Sequence, residues 1–315
     1  MSRIAFIFPG QGSQAVGMGK ELADAFPAAR AVFEEVDAAL GEKLSKLIWE
    51  GPLEDLTLTA NQQPALMAVS LATVKALEAN FGVRVDRAAF VAGHSLGEYS
   101  ALAAAGAISI SDAARLLRKR GQAMQAAVPA GQGAMAALIG KVDVGVAEAI
   151  AAEGAKVAPV GVANDNNAGN VVISGTKAGV DAAIAAAKEK GVRAIPLSVS
   201  APFHSALMAP AAKAMQEALA TAAIKAPVVP VVANVTARPV NDPNEIRRLL
   251  VEQVTGRVRW RECCEWMAGE GGVTKFVETG AGKQLSGMVK RNAPNSEQVA
   301  LNLPADLEAF ARSIG

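Results

Sequence analysis

Two cysteines and two histidines are all that 315 residues contain, and this scarcity excludes several chemistries at once. Cys263 and Cys264 are neighbours in a helical stretch, where neither a disulfide framework nor a zinc-ligand set can be built from them, so core packing is their expected role. Charge of one sign is lacking too. Lys plus Arg number 31 against 30 Asp plus Glu, a net of +1, which gives no reason to expect nucleic acid or an acidic membrane surface as partner. No apolar run reaches the ~20 residues of a membrane helix, and the opening MSRIAFIFPGQGSQ is too briefly apolar for a signal peptide, so a cytoplasmic location is expected. Repeats, low-complexity tracts and linkers are missing as well. With 51% hydrophobic residues the chain can bury a sizeable core, and its length suits one large domain carrying a smaller one.

Short apolar runs alternate with Ala-rich stretches of helical period, the pattern of an α/β fold with a parallel sheet. Residues 3–8 read as a first strand, 21–40 and 64–79 as helical stretches, and 88–92 as a buried strand. From residue 131 to 200 the pattern changes. Strands at 134–139, 157–163, 171–174 and 193–197 and helices at 144–152 and 178–190 follow the order β-α-β-β-α-β, with an Asn-rich loop at 164–170; this is the ferredoxin-like unit. Pro129-Ala130-Gly131 and Ala201-Pro202 punctuate its ends, as for a subdomain inserted into a loop of a larger one. The division expected is 1–128 with 201–315 as the large domain and 129–200 as the insertion, with a site in the cleft between them. Strands at 228–233 and 275–278 and a closing helix at 306–314 complete the large domain.

Directly after the strand at 88–92 comes Gly93-His94-Ser95-Leu96-Gly97, and a helix from Glu98 begins at once. That is the strand, turn, helix order of a GxSxG nucleophile elbow, which lifts the serine hydroxyl above the sheet and aims a helix N-terminus at it. An ordinary strand-to-helix turn is the plainer alternative in a Gly-rich chain. A nucleophilic serine needs a base. His94 is adjacent to Ser95 and its side chain diverges at such a turn, which leaves His204, in Ala201-Pro202-Phe203-His204-Ser205, where it could face the elbow across the cleft; a hydrogen-bonded loop histidine is the plainer alternative.

Ala113, Leu117, Arg120 and Met124 recur at spacings of four, three and four, so Arg120 sits in an apolar helix stripe while Arg118 and Lys119 read as solvated charge. A buried guanidinium needs an anion; an internal salt bridge and a two-pronged clamp on a substrate carboxylate both meet that need. The loop Gly10-Gln11-Gly12-Ser13-Gln14-Ala15 formally fits a dinucleotide fingerprint, but Glu34 and Glu35 fall in a helix rather than at a strand end, and no P-loop Gly-Lys-Ser/Thr follows. What remains is a glycine loop able to offer a backbone N–H to an oxyanion, together with the N–H of Leu96.

PGQGSQ at 9–14, QQPAL at 62–66, GHSLGEYSAL at 93–102, RKRGQAMQ at 118–125, FHSALM at 203–208 and GAGKQLSGMVKR at 280–291 occur in this order over nearly the whole chain. Together they resemble the malonyl-CoA:acyl carrier protein transacylase family, malonyltransferases of type II fatty-acid synthesis. The resemblance implies a hydrolase-like α/β domain with a ferredoxin-like insertion. It makes Ser95 the nucleophile, His204 the general base and acid, and Arg120 the clamp on the malonyl carboxylate. It further implies that the backbone carbonyl of Gln253 orients His204, that Gln11 and Leu96 form the oxyanion hole, and that Phe203 belongs to a malonyl-selective pattern. Gln63 and Asn166 join the substrate-binding set on the same ground, although the Asn-rich loop carries Ala168 where many relatives have proline. Malonyl-CoA and acyl carrier protein are the implied substrates of a ping-pong reaction, with no cofactor, no metal and a monomeric enzyme. Lys283, Lys290 and Arg291 could meet an acidic carrier helix, or be ordinary solvated surface. Two other readings stay open: a serine hydrolase with a triad acid among Asp143, Glu153, Asp165 or Asp181, and a non-catalytic module that binds carrier protein.

Overall fold

The computed structural model describes residues 2–314. Six strands form one sheet in the order β10-β9-β1-β2-β7-β8: β1 (Ile4–Phe8), β2 (Phe90–Gly93), β7 (Val231–Val232), β8 (Pro239–Val240), β9 (Lys275–Thr279) and β10 (Glu297–Leu301). Every pair in it is parallel except β7 with β8. β1 and β9 are almost wholly buried, as expected of strands covered on both faces by helices. The helix Thr59–Phe81 crosses behind them and is buried along most of its length.

Four strands form the second sheet, in the order β4-β5-β3-β6 and antiparallel throughout: β3 (Gly133–Ile139), β4 (Val160–Asn167), β5 (Asn170–Thr176) and β6 (Arg193–Pro196). With helices Val144–Ala155 and Lys177–Glu189 they follow the βαββαβ order read from the sequence. Strand alternation splits this sheet between two tasks. Ala136, Leu138, Val171 and Ile173 pack on the two helices, whereas Met135, Ala137 and Val172 point the other way and line a cleft.

Several boundaries differ from expectation. The helical stretch 21–40 is two helices, Lys20–Ala25 and Pro27–Leu40, because Phe26 is extended and Pro27 starts the second. The helix expected from Pro64 begins at Thr59, so proline sits inside it. The Asn-rich stretch is not a loop: β4 runs to Asn167 and β5 resumes at Asn170, leaving Ala168 and Gly169 as the turn. The strand expected over 228–233 keeps only Val231–Val232, because Pro227 and Pro230 remove ladder donors. β10 carries too few apolar residues to have been read as a strand. Cys263 and Cys264 are buried, unbridged, in the helix Trp260–Ala268. Among the described residues no helix is long and apolar enough to cross a membrane.

Candidate active site

Ser95 lies between the end of β2 and the helix Gly97–Ala104, with φ at 54°, the left-handed conformation of an elbow. The close strand-to-helix approach requires the flanking glycines. A Cβ on Gly93 would lie 1.9 Å from the Gly97 carbonyl, and one on Gly97 would lie 2.2 Å from the carbonyl oxygen of Phe8.

The Ser95 hydroxyl is 2.7 Å from His204 Nε2. His204 Nδ1 is 2.9 Å from the backbone carbonyl of Gln253 and 3.1 Å from that of Gly256. Carbonyls only accept, so Nδ1 carries the proton and Nε2 is left as the acceptor for the Ser95 O–H. Burial, reinforced by the positive charge of Arg120 and opposed by the Gln253 carbonyl, pushes the His204 pKa from 6.5 down to about 3. The ring is therefore neutral at ordinary pH. None of the four acids considered for a triad is engaged with His204: Asp143 caps the helix Val144–Ala155, and Glu153, Asp165 and Asp181 pair with Lys156, Arg261 and Lys177. His94 instead turns its Nε2 to Asn166 Oδ1, at 2.8 Å.

Arg120 is buried on the helix Ile110–Ala126 beside Ala113, Leu117 and Met124, as its spacing predicts. Its Nη1 donates to Gln63 Oε1 at 2.8 Å, and its Nη2 to Gln253 Oε1 at 2.9 Å and to the Ser95 hydroxyl at 3.1 Å. All three acceptors are neutral. Among the described residues Arg120 makes no ion pair and its Nε has no hydrogen-bond partner, so the internal salt bridge is not formed and the charge is open to an anion in the cleft. Arg118 is not solvated as expected; it is largely buried and bonded to Asn61 and Glu42. Lys119 is exposed.

The cleft measures about 370 Å³ and brings together Gln11, His94, Ser95, Arg120, Asn166, Phe203 and His204. The fully buried Gln63 stands behind Arg120 and is not among the lining residues, whereas its neighbour Gln62 is. Leu96 is buried at the start of the elbow helix, its backbone N–H next to Ser95. Gln284 fixes the Gln11 loop by donating from Nε2 to the Gly12 carbonyl at 2.8 Å. Lys283, Lys290 and Arg291 are exposed.

The family described as Acyl transferase domain matches residues 5–302. The chain belongs to this family. As an acyltransferase it is 49% identical, over all of its own length and 98% of the other's, to the malonyl CoA-acyl carrier protein transacylase of Bacillus subtilis. Its fold is similar to the crystal structure of an acyl-carrier-protein-S-malonyltransferase from Bartonella henselae, with a TM-score of 0.96 and 54% identity over 99% of both chains. It is also similar to a malonyl-transacylase solved with its type II polyketide acyl-carrier protein, with a TM-score of 0.94 and 40% identity over 99% of this chain and 100% of that one.

Three residues of the site had no role in the sequence reading. Gln62 lines the cleft, and among the described residues its Oε1 has no hydrogen-bond partner. Asn234 and Glu98 are buried beneath the elbow. Glu98 stood inside the GHSLGEYSAL segment, and Asn234 directly follows the apolar run to Ala233, at the carboxyl end of a strand, where sites of open α/β sheets gather.

Proposed function

We propose that the enzyme transfers a malonyl group from malonyl-CoA to the phosphopantetheine thiol of an acyl carrier protein through a malonyl ester on Ser95. One observation carries this reading: the Ser95 hydroxyl lies between a neutral His204 Nε2 and a guanidinium that makes no ion pair among the described residues. His204 takes the Ser95 proton as Oγ attacks the thioester carbonyl, and the N–H groups of Gln11 and Leu96 hold the tetrahedral oxyanion. The C–S bond then breaks and His204 returns the proton to the leaving thiolate of coenzyme A. In the second half the carrier thiol gives its proton to His204 and attacks the ester, and the serine alkoxide leaves with that proton.

Arg120 binds the malonyl carboxylate, and Gln63 and Gln253 hold the guanidinium for it. Phe203 and Asn166 border the acyl group. The backbone carbonyl of Gln253 takes the place of a triad acid. The Bacillus subtilis relative carries these same two substrates in its name, and the malonyl-transacylase of similar fold was solved with an acyl-carrier protein. The reading includes a monomeric cytoplasmic enzyme with no cofactor, divided at 128/129 and 200/201. The test is initial-rate kinetics with malonyl-CoA and carrier protein varied together. Parallel double-reciprocal lines are expected; intersecting lines would contradict a covalent intermediate.

A further inference from the structure

We infer that Asn234 is a positioning residue for the nucleophile, holding the backbone of the elbow in the strained conformation that presents the Ser95 hydroxyl. The inference rests on the reading of Ser95 as the acylated residue.

Ser95 has φ at 54°, which an L-residue adopts only when its surroundings hold it there. The Asn234 side chain spans the bend. Its Oδ1 accepts the Ser95 N–H at 2.8 Å, and its Nδ2 donates to the Gly93 carbonyl at 2.7 Å. One amide thus ties the last residue of β2 to the nucleophile two residues on, and it occupies the Ser95 N–H, leaving Leu96 as the elbow's N–H for an oxyanion. Gln253 Nε2 holds the other side, donating to the Ser95 carbonyl at 2.9 Å, the carbonyl of the peptide whose N–H belongs to Leu96.

Glu98 ties the two amides together. Its Oε2 accepts the Asn234 backbone N–H at 3.1 Å and Gln253 Nε2 at 2.8 Å. The Asn234 carbonyl in turn accepts the N–H of Arg259 at 3.0 Å. Every polar group of Asn234 is therefore engaged, and the residue is fully buried. No atom of Asn234 borders the cleft. It acts on the reaction through the geometry of Ser95 and the Leu96 peptide.

The test is rapid-quench acylation by malonyl-CoA, read by intact mass, in wild type, Asn234→Ala and Asn234→Asp, with thermal melting of each. Asn234→Asp keeps the size and the acceptor for the Ser95 N–H but loses the Nδ2 donor to Gly93. For either folded variant we expect the maximal acylation rate to fall at least tenfold, with the half-saturating malonyl-CoA concentration changed less than threefold. A folded variant acylated within threefold of the wild-type maximum would overturn the assignment. So would a loss seen only as weaker saturation, or failure of both variants to fold, which would make Asn234 a purely structural residue. Absence of any adduct on wild type would instead sink the reading of Ser95, a distinct outcome.

Discussion

Arg120 and His204 share one hydroxyl, and the charge of Arg120 helps to keep His204 neutral. The guanidinium donates only to neutral acceptors among the described residues, so a bound carboxylate is the first anion to pair with it directly, and an acyl group without one leaves it unpaired. Arg120→Ala should therefore lose malonyl transfer far more than acetyl transfer, by about 30-fold or more, since truncating one member of a desolvated charge pair costs about 2–5 kcal/mol. Equal loss of both activities would refute the clamp. The same charge holds the His204 pKa down to about 3 from 6.5, after burial itself. Between those two pH values the unfolded chain holds the proton and the folded one does not, so the stability contributed by a neutral His204 is complete above pH 6.5 and is lost as pH falls toward 3. With only two histidines, ring 15N NMR can follow each one. His204 should remain neutral at pH 5 in the wild type, and Arg120→Gln should raise its pKa; a wild-type midpoint near 6.5 would contradict the electrostatics.

At the scale of elements, the elbow works because β2 and the following helix nearly touch. Gly97→Ala would press a methyl group onto the Phe8 carbonyl, where backbone cannot yield, and should destabilise the fold by about 1–3 kcal/mol in urea unfolding. Gly287, exposed in the helix Gln284–Asn292 with open space at its Cβ position, supplies the opposite sign: Gly287→Ala should stabilise by about 0.5–1 kcal/mol. The elements themselves were largely legible. Apolar runs marked β1, β2, β3, β5 and β9, and the order of the second sheet followed from them. Legibility failed where strand character came from polar residues or where proline intervened. Asn164, Asn166 and Asn167 are buried strand residues, the first two lining the cleft, so a hydrophobic pattern could only show them as a loop. That Ser95, His204 and Arg120 share one cleft was foreseeable from strand position, from the rarity of histidine and from a helix stripe. The roles proposed for Gln253 and Gln11 needed the family resemblance, because a backbone carbonyl and a backbone N–H leave no mark on side-chain chemistry. Asn234 and Glu98 act from beneath the elbow, through contacts far apart in the chain.

Over the whole molecule, the cleft exists because two sheets meet. β4 joins the large sheet's side of the protein through paired backbone bonds between Ala163, Asp165 and Val258, and through a two-pronged ion pair from Arg261 to the buried Asp165. Arg261→Ala would leave that carboxylate buried without its partner and should cost about 3 kcal/mol of stability by denaturant melting; an unchanged midpoint would show that the pair does not hold the two parts together. The seam passes close to Asn166, and so to His94 and the nucleophile. Ser95, His204 and Arg120, the proposed nucleophile, base and clamp, come from three separate regions of the chain and meet at a single oxygen, so chemistry on that oxygen is the most direct measure of the whole arrangement. Intact-protein mass spectrometry after mixing with malonyl-CoA, followed by carrier protein and with Ser95→Ala as control, reads it. A malonyl adduct that requires Ser95 and discharges onto the carrier is the expected result; steady release of coenzyme A into water without carrier acylation, or no adduct and no turnover, would contradict it.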